Sequence, residues 1–160
     1  MEKVYHEGKR FAVWLYPVVL WRWRFTMSDV EKIYQYLKDA DVYYLATVDG
    51  DKPSVRPFST VKVYEGKLYI LTGKKKDVYE QLMVNPNAEI AVMGKSTWIH
   101  VMGTLKLDER EEPLKAIEAD YPGFAGKYNQ DETSPNAVFY FDTGKAVVSS
   151  WNTEPVTWYL

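Results

Sequence analysis

Cysteine is absent from all 160 positions of this chain. Its absence excludes disulfides, thiolate metal sites, cysteine-ligated iron–sulfur clusters and cysteine nucleophiles, and fits a cytoplasmic setting. Histidine is scarce, with only His6 and His100 present. Two histidines cannot assemble a histidine-rich metal centre. A Ser-His-Asp triad would need one of them, and no nucleophile elbow lies near either. An excess of one charge is also missing: 20 Lys+Arg against 22 Asp+Glu leave a formal −2. No global basic field therefore draws the protein to nucleic acid or anionic lipid. Long apolar runs are lacking too. The longest, Phe11 to Trp21, falls short of the roughly 20 residues of a spanning helix, is interrupted by Pro17 and has no small-residue cleavage site. No integral membrane segment is expected.

What the chain does have is aromatic side chains, at 16% with 13 Tyr and 6 Trp, enough to suggest either large buried contacts or a planar ligand. Its length fits one domain. Residues 1–26, with the apolar run flanked by Lys9, Arg10, Arg22 and Arg24, differ from the rest and read as an N-terminal extension. Met27 would then be the natural start. The competing reading is an ordered arm that packs on a partner subunit or touches a membrane surface. The domain itself is expected over residues 27–160.

From Met27 the punctuation is regular. Ser28 followed by Glu31 is a capping-box pattern, and Val30, Ile33, Tyr34 and Leu37 recur at helical spacing up to about Asp39. Val42 to Val48 predicts a strand, and Asp49-Gly50 a tight turn. A second strand is expected from Ser54 to Tyr64 and a third from Lys67 to Thr72 across Glu65-Gly66, the three forming an antiparallel meander. Lys74 to Val84 predicts a short helix stopped by Asn85-Pro86. Ala88 to Met93 and Thr97 to Leu107 predict a strand pair, and Arg110 to Asp120 another helix. After a loop over Tyr121 to Asn136, Val138 to Asp142 and Lys145 to Ser150 predict a hairpin across Thr143-Gly144. The sum is a mainly β architecture, a six- to seven-stranded antiparallel barrel with about three short helices.

The residues that point to chemistry are Lys74, Lys75 and Lys76, directly after Thr72-Gly73. Placed in a helix's first turn, three cations oppose the macrodipole by roughly 0.3–1 kcal/mol each. A bound anion reverses that penalty, because amides and ammonium groups then converge on it. A solvated lysine cluster is the plainer reading. Arg56, on the strand expected beside the one ending at Thr72, favours the anion. Its planar fork suits a phosphate, and Val55, Pro57 and Phe58 add apolar surface for a ring.

The run "YYLATVDGDKPSVRPFSTV" from Tyr43, followed by "LYILTGKKKDVYEQLMVNPNAEIAV" from Leu68, resembles the pyridoxamine 5′-phosphate oxidase-like family of FMN-binding split barrels. The resemblance spans roughly Ser28 to Trp158. It implies a split β-barrel, bound FMN and a homodimer with flavin between protomers. By it, Arg56, Lys75 and Lys76 fall where the family holds the FMN phosphate, with Thr72 assisting. Pro57, Phe58, Ser59 and Thr60 match the strand beside the ribityl chain and the isoalloxazine. Trp98 and His100 match a strand that faces the flavin from the other protomer, and Trp151 and Asn152 a terminal segment near the ring edge. Core or dimer-contact roles compete for these last four.

True pyridoxamine 5′-phosphate oxidases finish with an Arg-x-His element that grips the substrate. This chain finishes "SSWNTEPVTWYL", with neither residue, so vitamin B6 oxidation is not expected. The resemblance implies an FMN-dependent oxidoreductase acting on an unidentified small molecule, with no catalytic acid or base assigned. The alternative is a non-catalytic flavin-binding, storage or stress/redox-sensing protein. A deazaflavin or another phosphorylated planar cofactor is the alternative ligand. Haem is disfavoured by the shortage of histidine.

Overall fold

The computed structural model describes residues 27–125 and 135–160. The expected extension, residues 1–26, and most of the loop before Asn136 lie outside the described residues. The first helix, α1 (Asp29–Ala40), starts where the capping box requires. The Ser28 amide donates to Glu31 Oε2 at 2.8 Å and the Glu31 amide to Ser28 Oγ at 3.2 Å. Its apolar stripe buries Ile33 and Leu37 in the core. The remaining elements are β1 (Tyr43–Asp49), β2 (Lys52–Phe58), β3 (Lys62–Tyr64), β4 (Lys67–Gly73), α2 (Asp77–Val84), β5 (Asn87–Met93) and β6 (Thr97–Asp108). Then follow α3 (Glu111–Asp120), α4 (Pro122–Ala125), β7 (Asn136–Ser150) and β8 (Val156–Tyr159).

All strand pairs are antiparallel, in the order β2-β1-β5-β6-β7-β4-β3, with β8 joining β7. The sheet curls around a core of Leu45, Ile70, Ile90, Ile99, Val101 and Phe139. A smaller cluster of Tyr69, Leu71, Ile117 and Val138 lies under α3, so β4 is buried on both faces. This is the expected split β-barrel. No helix of the described residues is long and apolar enough to cross a membrane.

Three expectations of detail are corrected. The single strand from Ser54 to Tyr64 is two strands at opposite ends of the sheet path, β2 and β3. Residues 59–61 carry the chain between them, and Thr60 takes the place of a ladder there. Its hydroxyl donates to the Leu71 carbonyl at 3.1 Å and accepts from the Leu71 amide at 3.2 Å, while Tyr43 Oη donates to the Thr60 carbonyl at 2.7 Å. The meander is therefore divided into two hairpins, β1–β2 and β3–β4, and the second edge of β4 pairs with β7. The last hairpin is one strand, β7. Across it, Thr104 opposes Thr143 but Leu105 opposes Phe141, so Asp142 is an inserted residue. That bulge bends β7, letting it hold β4 along its first part and β8 along its second. Gly103 marks the close approach, because a Cβ there would lie 2.1 Å from the Thr143 carbonyl oxygen.

The helices begin later than expected. Lys74, Lys75 and Lys76 form the turn before α2, with Lys76 at the N-cap position, so the first helical turn holds Asp77 and Glu80 instead of three lysines. Those carboxylates complement the macrodipole. The strand β8 and the short α4 lie where the sequence pattern predicts neither.

Candidate functional site

Residue 56 is opposite Leu45 across the β1–β2 ladder, which turns its side chain toward the barrel interior. The guanidinium is half-buried and donates four hydrogen bonds. Nη1 reaches Thr47 Oγ1 at 2.6 Å and the Leu45 carbonyl at 3.3 Å; Nη2 reaches Ser54 Oγ at 2.5 Å and Gln81 Oε1 at 2.7 Å. Every acceptor is a neutral oxygen. Burial lowers the Arg56 pKa from its ordinary value, and the carboxylates of Asp77 and Asp49 pull it back up. Neither carboxylate forms a salt bridge with it, and Arg56 has none among the described residues.

Thr47 and Gln81 close a ring around this cation. Thr47 Oγ1, having accepted from Arg56, gives its own proton to Gln81 Oε1 at 2.6 Å. Gln81 Oε1 thus accepts from both partners, which fixes the orientation of its amide, since a guanidinium can only donate. Both side chains are buried. Gln81 sits one helical turn beyond Asp77, so it ties Arg56 to the helix that follows the lysine turn. The expected link between Arg56 and this turn through neighbouring strands is replaced by a link through α2.

At the helix start, Lys76 supplies no side-chain cap, since an ammonium has no acceptor for a backbone amide. The Lys74 amide donates to the Pro135 carbonyl at 2.7 Å and the Lys76 amide to the Gly73 carbonyl at 3.1 Å. Lys75 and Lys76 are exposed. Thr72, on the strand leading into the turn, is 2% exposed, and its hydroxyl has no hydrogen-bond partner. A buried hydroxyl left unsatisfied costs about 1–3 kcal/mol. An incoming acceptor or water at this end of the barrel would relieve that cost. A cation held by neutral groups and an orphaned hydroxyl suit a phosphorylated group.

The other expected residues divide between the two faces of the sheet. Pro57 is exposed on the outer face, whereas Phe58 is half-buried against Tyr43, with ring centroids 6.0 Å apart. Ser59 is half-buried, and Thr60 is used in joining β2 to β4. Trp98 and Trp151 meet, with ring centroids 4.9 Å apart and planes inclined at 55°. They stand on the outer face, and Trp98 is on β6, three strands from Arg56 in the sheet order. Within one chain these rings and Arg56 are not brought together. Asn152 is exposed, its amide donating to Ser150 Oγ. His100 faces outward beside Glu89, Nδ1 and Oε1 being 2.5 Å apart. Among the described residues no His/Asp/Glu cluster could hold a metal ion.

Along the outer face, Pro57, Tyr44, Ala91, His100, Val147 and Thr157 stand in one register row across six strands. Tyr44, Val55 and Met93 are all more than half exposed on this face. A groove of about 560 Å³ opens where β1 parts from β5, lined in part by Ala46, Val48, Pro53, Ala88 and Met102. That volume lies in the range of small-molecule sites.

Residues 28–118 match the family model described as pyridoxamine 5'-phosphate oxidase like. A NimC/NimA family protein from Clostridium acetobutylicum is 36% identical, with a TM-score of 0.77 over 82% of this chain and 92% of that one. The chain therefore belongs to the pyridoxamine 5′-phosphate oxidase-like family. More distant structures share the fold. A pyridoxamine 5'-phosphate oxidase-related, FMN binding protein from Nostoc punctiforme is 13% identical, with a TM-score of 0.52 over 93% of this chain and 98% of that one. A heme binding protein from Mycobacterium smegmatis is 15% identical, with a TM-score of 0.63 over 84% of this chain and 59% of that one. No curated protein matches the chain by sequence.

Proposed function

We propose that the protein binds FMN, with the phosphate at Arg56 and the lysine turn, and works as an FMN-dependent oxidoreductase on a small molecule. The observation that carries this reading is Arg56 itself, a half-buried cation surrounded by neutral acceptors only. A phosphate adds its own charge and a geometry matched to the guanidinium, which the neutral acceptors lack, so an anion is the partner this site favours. Thr72, with its unsatisfied hydroxyl, and the exposed Lys75 and Lys76 extend the same receptor. Family membership and the FMN-binding relative support flavin as the group attached to that phosphate.

The flavin ring needs apolar cover, and here the proposal calls on a second copy of the chain. Trp98, Trp151 and Tyr44 are presented outward, away from Arg56 of their own chain. A homodimer joined through this face buries them and lets one protomer's rings complete the other's site. When bound, the flavin supplies hydride and electron chemistry. The chain's own residues hold the phosphate, position the ring and exclude water.

The test is the absorption spectrum of the purified protein, with mass spectrometry of any released chromophore. Flavin bands and a released mass equal to FMN are expected. A colourless protein that takes up no added FMN contradicts the proposal. A released deazaflavin, or a haem spectrum, would reassign the cofactor. Reduction by NAD(P)H with turnover of a substrate separates an enzyme from a flavin-storage or redox-sensing protein.

A further inference from the structure

The neutral character of the groups around Arg56 has a consequence of its own. A half-buried arginine is commonly matched by a carboxylate. Here the position best placed to supply one, residue 81 on the buried face of α2, is glutamine. Its Oε1 accepts from both Arg56 Nη2 and Thr47 Oγ1, so it does the holding that a carboxylate would do. It differs in carrying no charge. Gln81 and Thr47 therefore fix the guanidinium in place without neutralising it. With the Leu45 carbonyl and Ser54 they take all four Nη protons, so a phosphate would be drawn by the charge and would bind through Nε–H or by taking over one of these bonds.

We infer that Gln81, with Thr47, is a positioning and specificity-determining pair that keeps Arg56 an anion receptor without a salt-bridged carboxylate, making binding depend on a phosphate and not on the ring alone. This rests on the reading that an anion binds at Arg56. Three features of the geometry support it. The guanidinium orientation is over-determined by two buried side chains, one strand carbonyl and Ser54. The carboxylates that act on its charge, Asp77 and Asp49, form no salt bridge with it. Gln81 also couples the receptor to α2, so Arg56 and the lysine turn are held in a fixed relation. A loose arginine would lose side-chain entropy each time a phosphate bound, and a preorganised one does not.

The test compares the unsubstituted protein with Gln81→Glu and Gln81→Met, measuring dissociation constants for FMN and for riboflavin, which lacks the phosphate. Gln81→Glu keeps the acceptor and adds a charge that competes for Arg56. It is expected to weaken FMN at least about tenfold while leaving riboflavin nearly unchanged. Gln81→Met removes the acceptor but leaves the arginine's charge intact, and is expected to weaken FMN less than Gln81→Glu does. Equal losses for FMN and riboflavin would show a merely structural role and overturn the inference, as would unchanged FMN affinity in Gln81→Glu. Inorganic phosphate separates this inference from the flavin proposal. It should raise the melting temperature of the unsubstituted protein and not that of Gln81→Glu, whether or not flavin binds. A phosphate-induced rise equal in both proteins overturns the inference independently.

Discussion

Asp108 is held by its neighbours in a way that pH can test. Hydrogen bonds from Arg110 lead in lowering its pKa to about 2, with burial opposing and the Tyr69 hydroxyl assisting. A carboxyl whose folded pKa is depressed stabilises the fold above its unfolded value. That contribution is lost as pH falls from about 4 toward about 2. Asp108→Asn should therefore melt at lower temperature than the unsubstituted protein at neutral pH, with the gap closing as pH approaches 2. A gap independent of pH would mean that the ion pair with Arg110 is not what Asp108 contributes. The same scale shows what could be read from the sequence at the site. Arg56 and the Lys74–Lys76 run stand out as charges, and reading them requires no tertiary contact. Gln81 and Thr47 do not stand out in the sequence, yet both carry a signal. Gln81 occupies a position on the apolar stripe with Val78 and Leu82, and Thr47 continues the inward alternation of Tyr43 and Leu45. A polar residue at a core-facing position needs a partner. The partner here, Arg56, lies 25 residues from Gln81, and only the folded chain brings them together.

Elements with strong periodicity or punctuation are where expectation and structure agree. The capping box starts α1, and Glu65-Gly66 turns β3 into β4 with both residues at positive φ, 48° and 76°. The disagreements share a cause: local chemistry was overridden by long-range pairing. Thr143-Gly144 has turn composition, but a glycine at 144 is required because a Cβ there would lie 2.4 Å from the Met102 carbonyl oxygen, and the strand continues through it. Nothing local marks the break at residues 59–61, because Thr60 and Val61 suit a strand and Ser59 alone does not end one. The bulge beside Gly103 also makes a prediction. Gly103→Ala places a methyl group against the Thr143 carbonyl, and backbone cannot yield as a side-chain tip does. The substitution should destabilise by about 1–3 kcal/mol, read as a lower melting temperature. An unchanged melting temperature would show that β6 and β7 are not so closely apposed.

For the whole molecule, the proposed function needs two copies of the chain, because Arg56 and the Trp98–Trp151 pair lie three strands apart on opposite faces of one sheet. Sedimentation at twice the chain mass is expected. Tyr44→Arg, at an exposed aromatic of the outward row, should give a monomer that has also lost flavin. A monomeric variant that keeps full flavin affinity would place the whole site within one chain. The split barrel explains how one fold presents an inward arginine and an outward aromatic face: Arg56 and Pro57, adjacent on β2, point to opposite sides.

Arg56 is the phosphate receptor of the proposed site, and the most direct test is the affinity of Arg56→Ala for FMN and riboflavin, measured by quenching of flavin fluorescence. The expected result is at least about a tenfold loss for FMN with little change for riboflavin. An unchanged FMN dissociation constant would contradict the account and place the phosphate elsewhere.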